Sequence, residues 1–221
     1  MSAGEHQTKL NSDREAPRSV VSAVEVVHRY GQGASAVEAL RGVSLEIEPG
    51  RLTAIMGRPG AGKSTLLRVM AGLERPTEGA VIVDGIDITG LSDEQLARLR
   101  EKLALVLAPS ELFPLRDERR AVAAHELASR PALFVDEAAG DGAADLSGSA
   151  AEFLRRAVDE LGRTAVMVTG DARAAAIADR VLFLTDGRIT MDARESPPAA
   201  VLEAMQAAAN GVMDERGGAP G

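Results

Sequence analysis

Nine consecutive residues, "GRPGAGKST" from Gly57 to Thr65, concentrate phosphate chemistry in this 221-residue chain. Gly57, Gly62, Lys63 and Ser64 match the spacing G-x-x-x-x-G-K-[ST], a loop that wraps phosphate. Gly57, Arg58, Pro59, Gly60, Ala61 and Gly62 form the wrap, because glycines let several backbone N–H groups point toward one anion. Lys63 would neutralise β/γ-phosphate oxygens, Ser64 would ligate Mg²⁺ through its hydroxyl, and Thr65 completes the cofactor-binding set. A chance glycine-rich turn would not be expected to have these flanks: the apolar strand "LTAIM" before it and the helix "STLLRVMAG" after it.

Two acids stand in a second suitable place. "ALFVDE" puts Asp136 at the carboxyl end of an apolar strand, where it can hold a Mg²⁺ shell through water. Glu137 follows directly, at the position of a general base for an attacking water. Alone, the pair would read as a strand running into a solvated acidic turn; behind a phosphate loop it reads as metal ligand and base. Tyr30, the single tyrosine, ends "VVHRYGQG" and could stack on adenine. The alternative is a partly buried ring at a strand end. The set implies ATP and Mg²⁺ as cofactors.

The elements that must position these groups fall into two textures. From Val20 to about Gly85 the chain is strand-like: "VVSAVEVVHRY", "ALRGVSLEIE", "RLTAIM" and "GAVIVDG", separated by turn-forming "EPG" and "RPTEG". After Gly90 helices and strands alternate. "LSDEQLARLREK" starts with a Ser N-cap followed by acids. The strand "LALVLA", a helix over 116–130, the strand "ALFVDE", a helix from Ala150 to Leu161, the strand "TAVMVT", a short helix "ARAAAIAD" and the strand "RVLFLT" follow. Continuous apolar strands separated by helices predict a mostly parallel sheet covered on both faces. "PPAAVLEAMQAAAN" predicts a terminal helix entered through proline.

Composition sets the outer bounds. Apolar residues make up 45% and charged residues 26%, the profile of one soluble globular domain. Aromatics are 2%, so Ala, Val, Leu and Ile must build the core. A net charge of −8 argues against a nucleic-acid partner, while a local backbone nest can still bind phosphate. There is no cysteine, hence no disulfide or thiolate metal site, which fits a cytoplasmic setting. No apolar run approaches the roughly 20 residues of a bilayer span. The amino terminus shows no hydrophobic signal core, so a place at the inner face of the cell membrane would come through a partner.

The stretch "AVEALRGVSLEIEPGRLTAIMGRPGAGKSTLLRVMAGLERPTEGAVIVDGIDITGLSDEQLARLR", with "IADRVLFLTDGRI", resembles the nucleotide-binding subunit of ATP-binding cassette (ABC) transporters, in the lipoprotein-release and macrolide-export branch. The resemblance implies an α/β fold: a P-loop NTPase core with a mostly parallel sheet, plus an N-terminal antiparallel β subdomain. It makes Tyr30 the adenine-stacking aromatic, Gly57 to Thr65 the Walker A loop, and Asp136 and Glu137 the Walker B pair. The implied division is a disordered tail over 1–19, a truncated ATP-binding domain over 20–192, and a C-terminal helix and flexible tail over 193–221.

Departures from the family pattern are as informative. The family's glutamine after "LALVL" is Ala108 here, and its switch histidine after "VMVT" is Gly170, with Asp171 kept. The helical subdomain and its LSGGQ signature, which reaches nucleotide held by an opposite subunit, are deleted between "LALVLA" and "ALFVDE". "LSGS" at Leu146 to Ser149 lies after Walker B and reads as a helix N-cap. The family proline is Ala138 and the aspartate loop is blurred into "AAGDGAAD". His125 and His28 stand too far off to replace the switch histidine. The expectation is an ABC-type ATP-binding subunit that holds Mg-ATP and is weak or inactive in the family's transport-coupled hydrolysis. Its partners would be a membrane permease and a complete ABC ATPase subunit. The alternatives are an ATP-dependent regulatory module acting on a soluble protein, and a non-functional shortened paralogue.

Overall fold

The structure is a computed structural model that describes residues 19–100, 103–106, 130–137 and 147–194, with residues 200 and 203. Among the described residues, ten strands form two sheets. β1 (Val21–Tyr30), β2 (Val37–Ile47), β4 (Glu78–Val83) and β5 (Ile86–Asp87) make an antiparallel sheet in the order β2-β1-β4-β5. The larger sheet runs β10-β9-β3-β8-β7-β6. Its strands are β3 (Leu52–Met56), β6 (Leu103–Val106), β7 (Ala132–Asp136), β8 (Thr164–Val168), β9 (Arg180–Thr185) and β10 (Arg188–Arg194). All its pairings are parallel except β9 with β10.

Burial on both faces explains the unbroken apolar strands. Along β3, Leu52, Ala54 and Met56 point into one core while Ile55 points into the other. α1 (Lys63–Met70) fills the space between the two sheets, with Leu66, Leu67, Val69 and Met70 fully buried. α3 (Ser147–Leu161) and α4 (Ala172–Ala175) cover the far face, where Ala151, Leu154 and Val158 form a stripe at helical spacing. α2 (Asp93–Arg100) starts at a reciprocal cap: Gln95 N–H donates to the Ser92 hydroxyl and Ser92 N–H to the Gln95 side chain. The Ser N-cap read from the sequence is therefore present.

Two features depart from the sequence reading, and one strand carries an irregularity of its own. The helix expected from Ala150 begins at Ser147, so Ser149 lies within the helix rather than capping it. The helix expected over "ARAAAIAD" stops at Ala175. Its end is recruited by β3: Asp179 N–H donates to the Leu52 carbonyl, and the Asp179 carboxylate accepts from Leu52 N–H at 2.8 Å and from Arg155 at 3.0 Å. β1 also breaks its alternation. A bulge at Val24 and Glu25, where Glu25 takes φ 47°, shifts the inward positions from odd to even, so Val26 and His28 are buried. The expected helix over 116–130 lies outside the described residues but for its last residue, and the C-terminal helix but for residues 200 and 203. Ala108, Ala138 and the aspartate loop lie wholly outside them.

Asp179 joins β3, α3 and β9. Asp179→Ala leaves the Leu52 N–H and the Arg155 guanidinium without that acceptor, and should cost about 2–3 kcal/mol of unfolding free energy in a urea titration. A change below about 0.5 kcal/mol would show the contact to be dispensable.

Candidate functional site

β3, β7 and β8 end side by side, and the loops leaving them converge at the carboxyl edge of the parallel sheet, where ligands bind in open α/β folds. Residues 57–62 link β3 to α1. Gly57, at φ 150°, passes so close to β9 that a Cβ would lie 2.2 Å from the Leu184 carbonyl oxygen. Gly62, at φ 99°, would bring a Cβ within 2.4 Å of the Ala39 carbonyl oxygen. Only glycine fits at either position. Arg58, Pro59 and Gly60 are exposed at the crest, whereas Ala61 is buried. The loop closes through Ala61 N–H to the Arg58 carbonyl, and Gly187 N–H ties it to β10 through the Ala61 carbonyl.

Lys63 is 7% exposed, and its ammonium donates to the Gly57 and Arg58 carbonyls, both at 2.9 Å. Burial lowers its pKa, and the charge of Asp136 opposes that shift. Asp136, fully buried at the end of β7, thus lies within electrostatic reach of Lys63. Ser64 is half-buried at the first turn of α1 and Thr65 is buried behind it. The fit to a phosphate is physical: a backbone wrap that admits only glycine at its two ends, a buried cation at a helix N-terminus, and a hydroxyl and a carboxylate of the type that holds Mg²⁺.

Glu137 is 3% exposed, and neither carboxyl oxygen has a hydrogen-bond partner among the described residues. Burial pushes its pKa up to about 7; Asp171 and Asp136 add to the rise, and the Thr169 hydroxyl, not placed for a formed hydrogen bond, works against it. Gly170 is exposed and brings no side chain to the site. Asp171 is occupied in accepting from Arg173 N–H as the N-cap of α4. His28 lies on β1, bonded to Glu74 and the Arg75 carbonyl, far in sequence and role from the end of β8. His125 lies outside the described residues.

Tyr30 ends β1 with its ring 40% exposed and its hydroxyl anchored, 2.6 Å from Glu74 and 3.2 Å from the Thr65 hydroxyl. The structure therefore brings Tyr30 against the first turn of α1, next to residues 57–62. Glu74 is the member of the site that the sequence does not announce. It lies 44 residues from Tyr30 in an unremarkable "GLERP" turn, with no local signal for the pairing.

Comparison with known proteins follows the geometry. The ABC transporter family profile matches residues 40–182. An aliphatic sulfonates import ATP-binding protein of Ralstonia nicotianae is 37% identical, covering 84% of this chain and 77% of its own length. A lipoprotein-releasing system ATP-binding protein of Bdellovibrio bacteriovorus is 31% identical, covering 75% of this chain and 98% of its own length. A macrolide export ATP-binding/permease protein of Hyphomonas neptunium is 32% identical, and this chain spans 35% of it. Methionine import ATP-binding relatives are spanned over 61–64% of their length. The 215 positions of the lipoprotein-system alignment outnumber the residues that 75% of this chain can supply, so part of that relative's length has no counterpart here. Among solved structures, a dimeric bacterial ABC transporter cassette superposes with TM-score 0.68 at 25% identity, covering 80% of this chain and 99% of the cassette. A post-hydrolysis cassette dimer bound to ADP and Pi gives 0.67 at 26% identity, over 80% of this chain and 99% of its own.

Glu137 makes stability depend on pH. Its folded pKa lies above that of an ordinary carboxyl, so the folded state holds the proton through the window from about pH 4.5 to about 7 while the unfolded chain releases it. Stability should fall as pH rises through that window, by on the order of 3 kcal/mol in total. Glu137→Gln should remove that slope and be more stable than the native chain at pH 8, but not at pH 4.5, in paired urea titrations. Parallel pH profiles for the two chains would contradict the assignment.

Proposed function

The chain belongs to the ABC transporter family, and on that premise we propose that it is an ATP-binding subunit that holds Mg-ATP while hydrolysing it slowly or not at all by itself. The observation that carries this reading is the loop from Gly57 to Gly62, which admits only glycine at its two ends, wrapped around the buried Lys63 beside the buried Asp136. In this reading residues Gly57 to Thr65 hold the phosphates, Ser64 and Asp136 hold Mg²⁺, and Tyr30 offers its exposed ring to the base. Mg²⁺, when bound, would neutralise charge on the phosphate oxygens.

Hydrolysis needs more than a grip. Phosphoryl transfer depends on positioning the water and stabilising the developing charge. Glu137 is retained as a base and its pKa of about 7 suits that task. In this reading the groups that would orient the water and cap the γ-phosphate are replaced by Ala108 and Gly170 or lost with the helical subdomain. Acid–base assistance is worth about 10²–10⁴-fold, and one preorganised donor about 10²–10³-fold. Losses of this kind need not add, yet either alone leaves turnover slow.

A complete ABC ATPase subunit could supply a signature segment to this chain's nucleotide, whereas two copies of this chain could not complete each other. A membrane permease is the second partner, and it would hold the chain at the inner face of the membrane. Among the described residues no helix is long and apolar enough to cross a membrane. The cargo stays open, since the relatives' names span sulfonates, methionine, lipoproteins and macrolides.

Calorimetric titration with Mg-ATP should show saturable one-site binding, and Lys63→Ala should weaken it by about ten- to a hundredfold, the loss of a charge-assisted contact. Absence of binding in the native chain would contradict the reading. Equal binding by the variant would move the nucleotide to another site.

A further inference from the structure

His28, Tyr30 and Glu74 form a network that nucleotide binding as described does not use. The Glu74 carboxylate takes the Tyr30 hydroxyl at 2.6 Å and faces His28 Nε2 at 3.2 Å through one and the same oxygen, Oε2. Its other oxygen lies 3.5 Å from Arg68 of α1. His28 Nδ1 lies 2.9 Å from the Arg75 carbonyl oxygen, and the His28 ring meets the Tyr30 ring edge-on at 4.6 Å. The bulge in β1 places His28 on this side of the sheet, where it is 8% exposed.

Glu74 supplies the acceptor for the Tyr30 hydroxyl, and His28 supports the ring edge-on. Arg75 turns its side chain away to Asp93 and the Thr89 carbonyl, Arg29 pairs with Glu38 and Glu78, and β2 offers Leu40 opposite His28. Burial and the Glu74 carboxylate both raise the pKa of Tyr30, so the phenol keeps its proton and donates it.

We propose that Glu74 is a positioning residue for the base subsite: with His28 packed edge-on against the Tyr30 ring, it clamps the Tyr30 hydroxyl against Thr65. This rests on the reading of Tyr30 as the base-stacking ring. The clamp fixes the ring relative to the phosphate loop, because Thr65 follows Ser64 directly. Releasing it leaves the phosphate grip intact and frees the ring to swing, which lowers affinity for a nucleotide but not for its phosphate chain.

Two ligands separate these effects: Mg-ATP, and Mg-tripolyphosphate, which has no base. Glu74→Gln should weaken Mg-ATP about three- to tenfold, the worth of an ordered aromatic stack, and change Mg-tripolyphosphate less than twofold. His28→Leu, which removes the ring that packs edge-on against Tyr30, should weaken Mg-ATP and spare Mg-tripolyphosphate in the same way. Tyr30 is the single tyrosine and there is no tryptophan, so emission excited near 280 nm reports this ring without any nucleotide. That emission should differ between the native chain and Glu74→Gln. Equal loss of both ligands in Glu74→Gln, or unchanged affinities and emission in that variant, would overturn the proposal while leaving the nucleotide site standing. Failure of the native chain to bind either ligand would overturn the nucleotide reading on which it rests.

Discussion

The backbone between β3 and α1 passes within contact distance of two other strands, and the site depends on that passage. Gly57 presses on the Leu184 carbonyl of β9 and Gly62 on the Ala39 carbonyl of β2. A side chain at either would force the two sheets apart or lift the start of α1. Because α1 is packed between both sheets by Leu66, Leu67, Val69 and Met70, its N-terminus cannot drift to relieve such strain. Lys63 is consequently held in a buried position beside the loop carbonyls, with Asp136 close enough to oppose its loss of charge. The same packing brings Thr65 under Tyr30, so the phosphate end and the base end of the site share one helix turn.

Much of this was legible in the residues. β3, β7, β8 and β9 are apolar on both faces because α1 covers one side of the sheet and α3 and α4 the other. Such strands read as unbroken runs. The phosphate loop was legible because its chemistry is local, nine residues between a strand and a helix. β10 was not assigned: its side chains are mostly exposed or half-buried, so "RITMDAR" has no apolar rhythm to detect. β5 is too short for one. Contacts remote in sequence left no trace either. Asp179 ends α4 because it serves Leu52, and Glu74 anchors Tyr30 across 44 residues. The bulge at Glu25 reverses the facing of everything after it in β1, which a period-two reading would have placed on the wrong side.

Two carboxylates at the end of β7 divide their environments. Asp136 sits within reach of Lys63, whereas Glu137 has no hydrogen bond and no cation against it among the described residues. The cost of that burial is borne by folding and is the kind of local strain that functional sites retain. In the proposed reading this is a base with a pKa near neutrality that lacks the family's water-orienting groups, so binding and turnover come apart while the ground-state grip stays built into the core.

The most direct measurement is a single-turnover experiment with the protein in excess over Mg-ATP, following the bound nucleotide over time after a rapid acid quench. The account predicts that the nucleotide is recovered as intact ATP for far longer than a cycle of a competent ATPase, about a tenth of a second for a median enzyme. Conversion to ADP within seconds, abolished by Glu137→Gln, would contradict it and show that this reduced site positions water without the groups that it lacks.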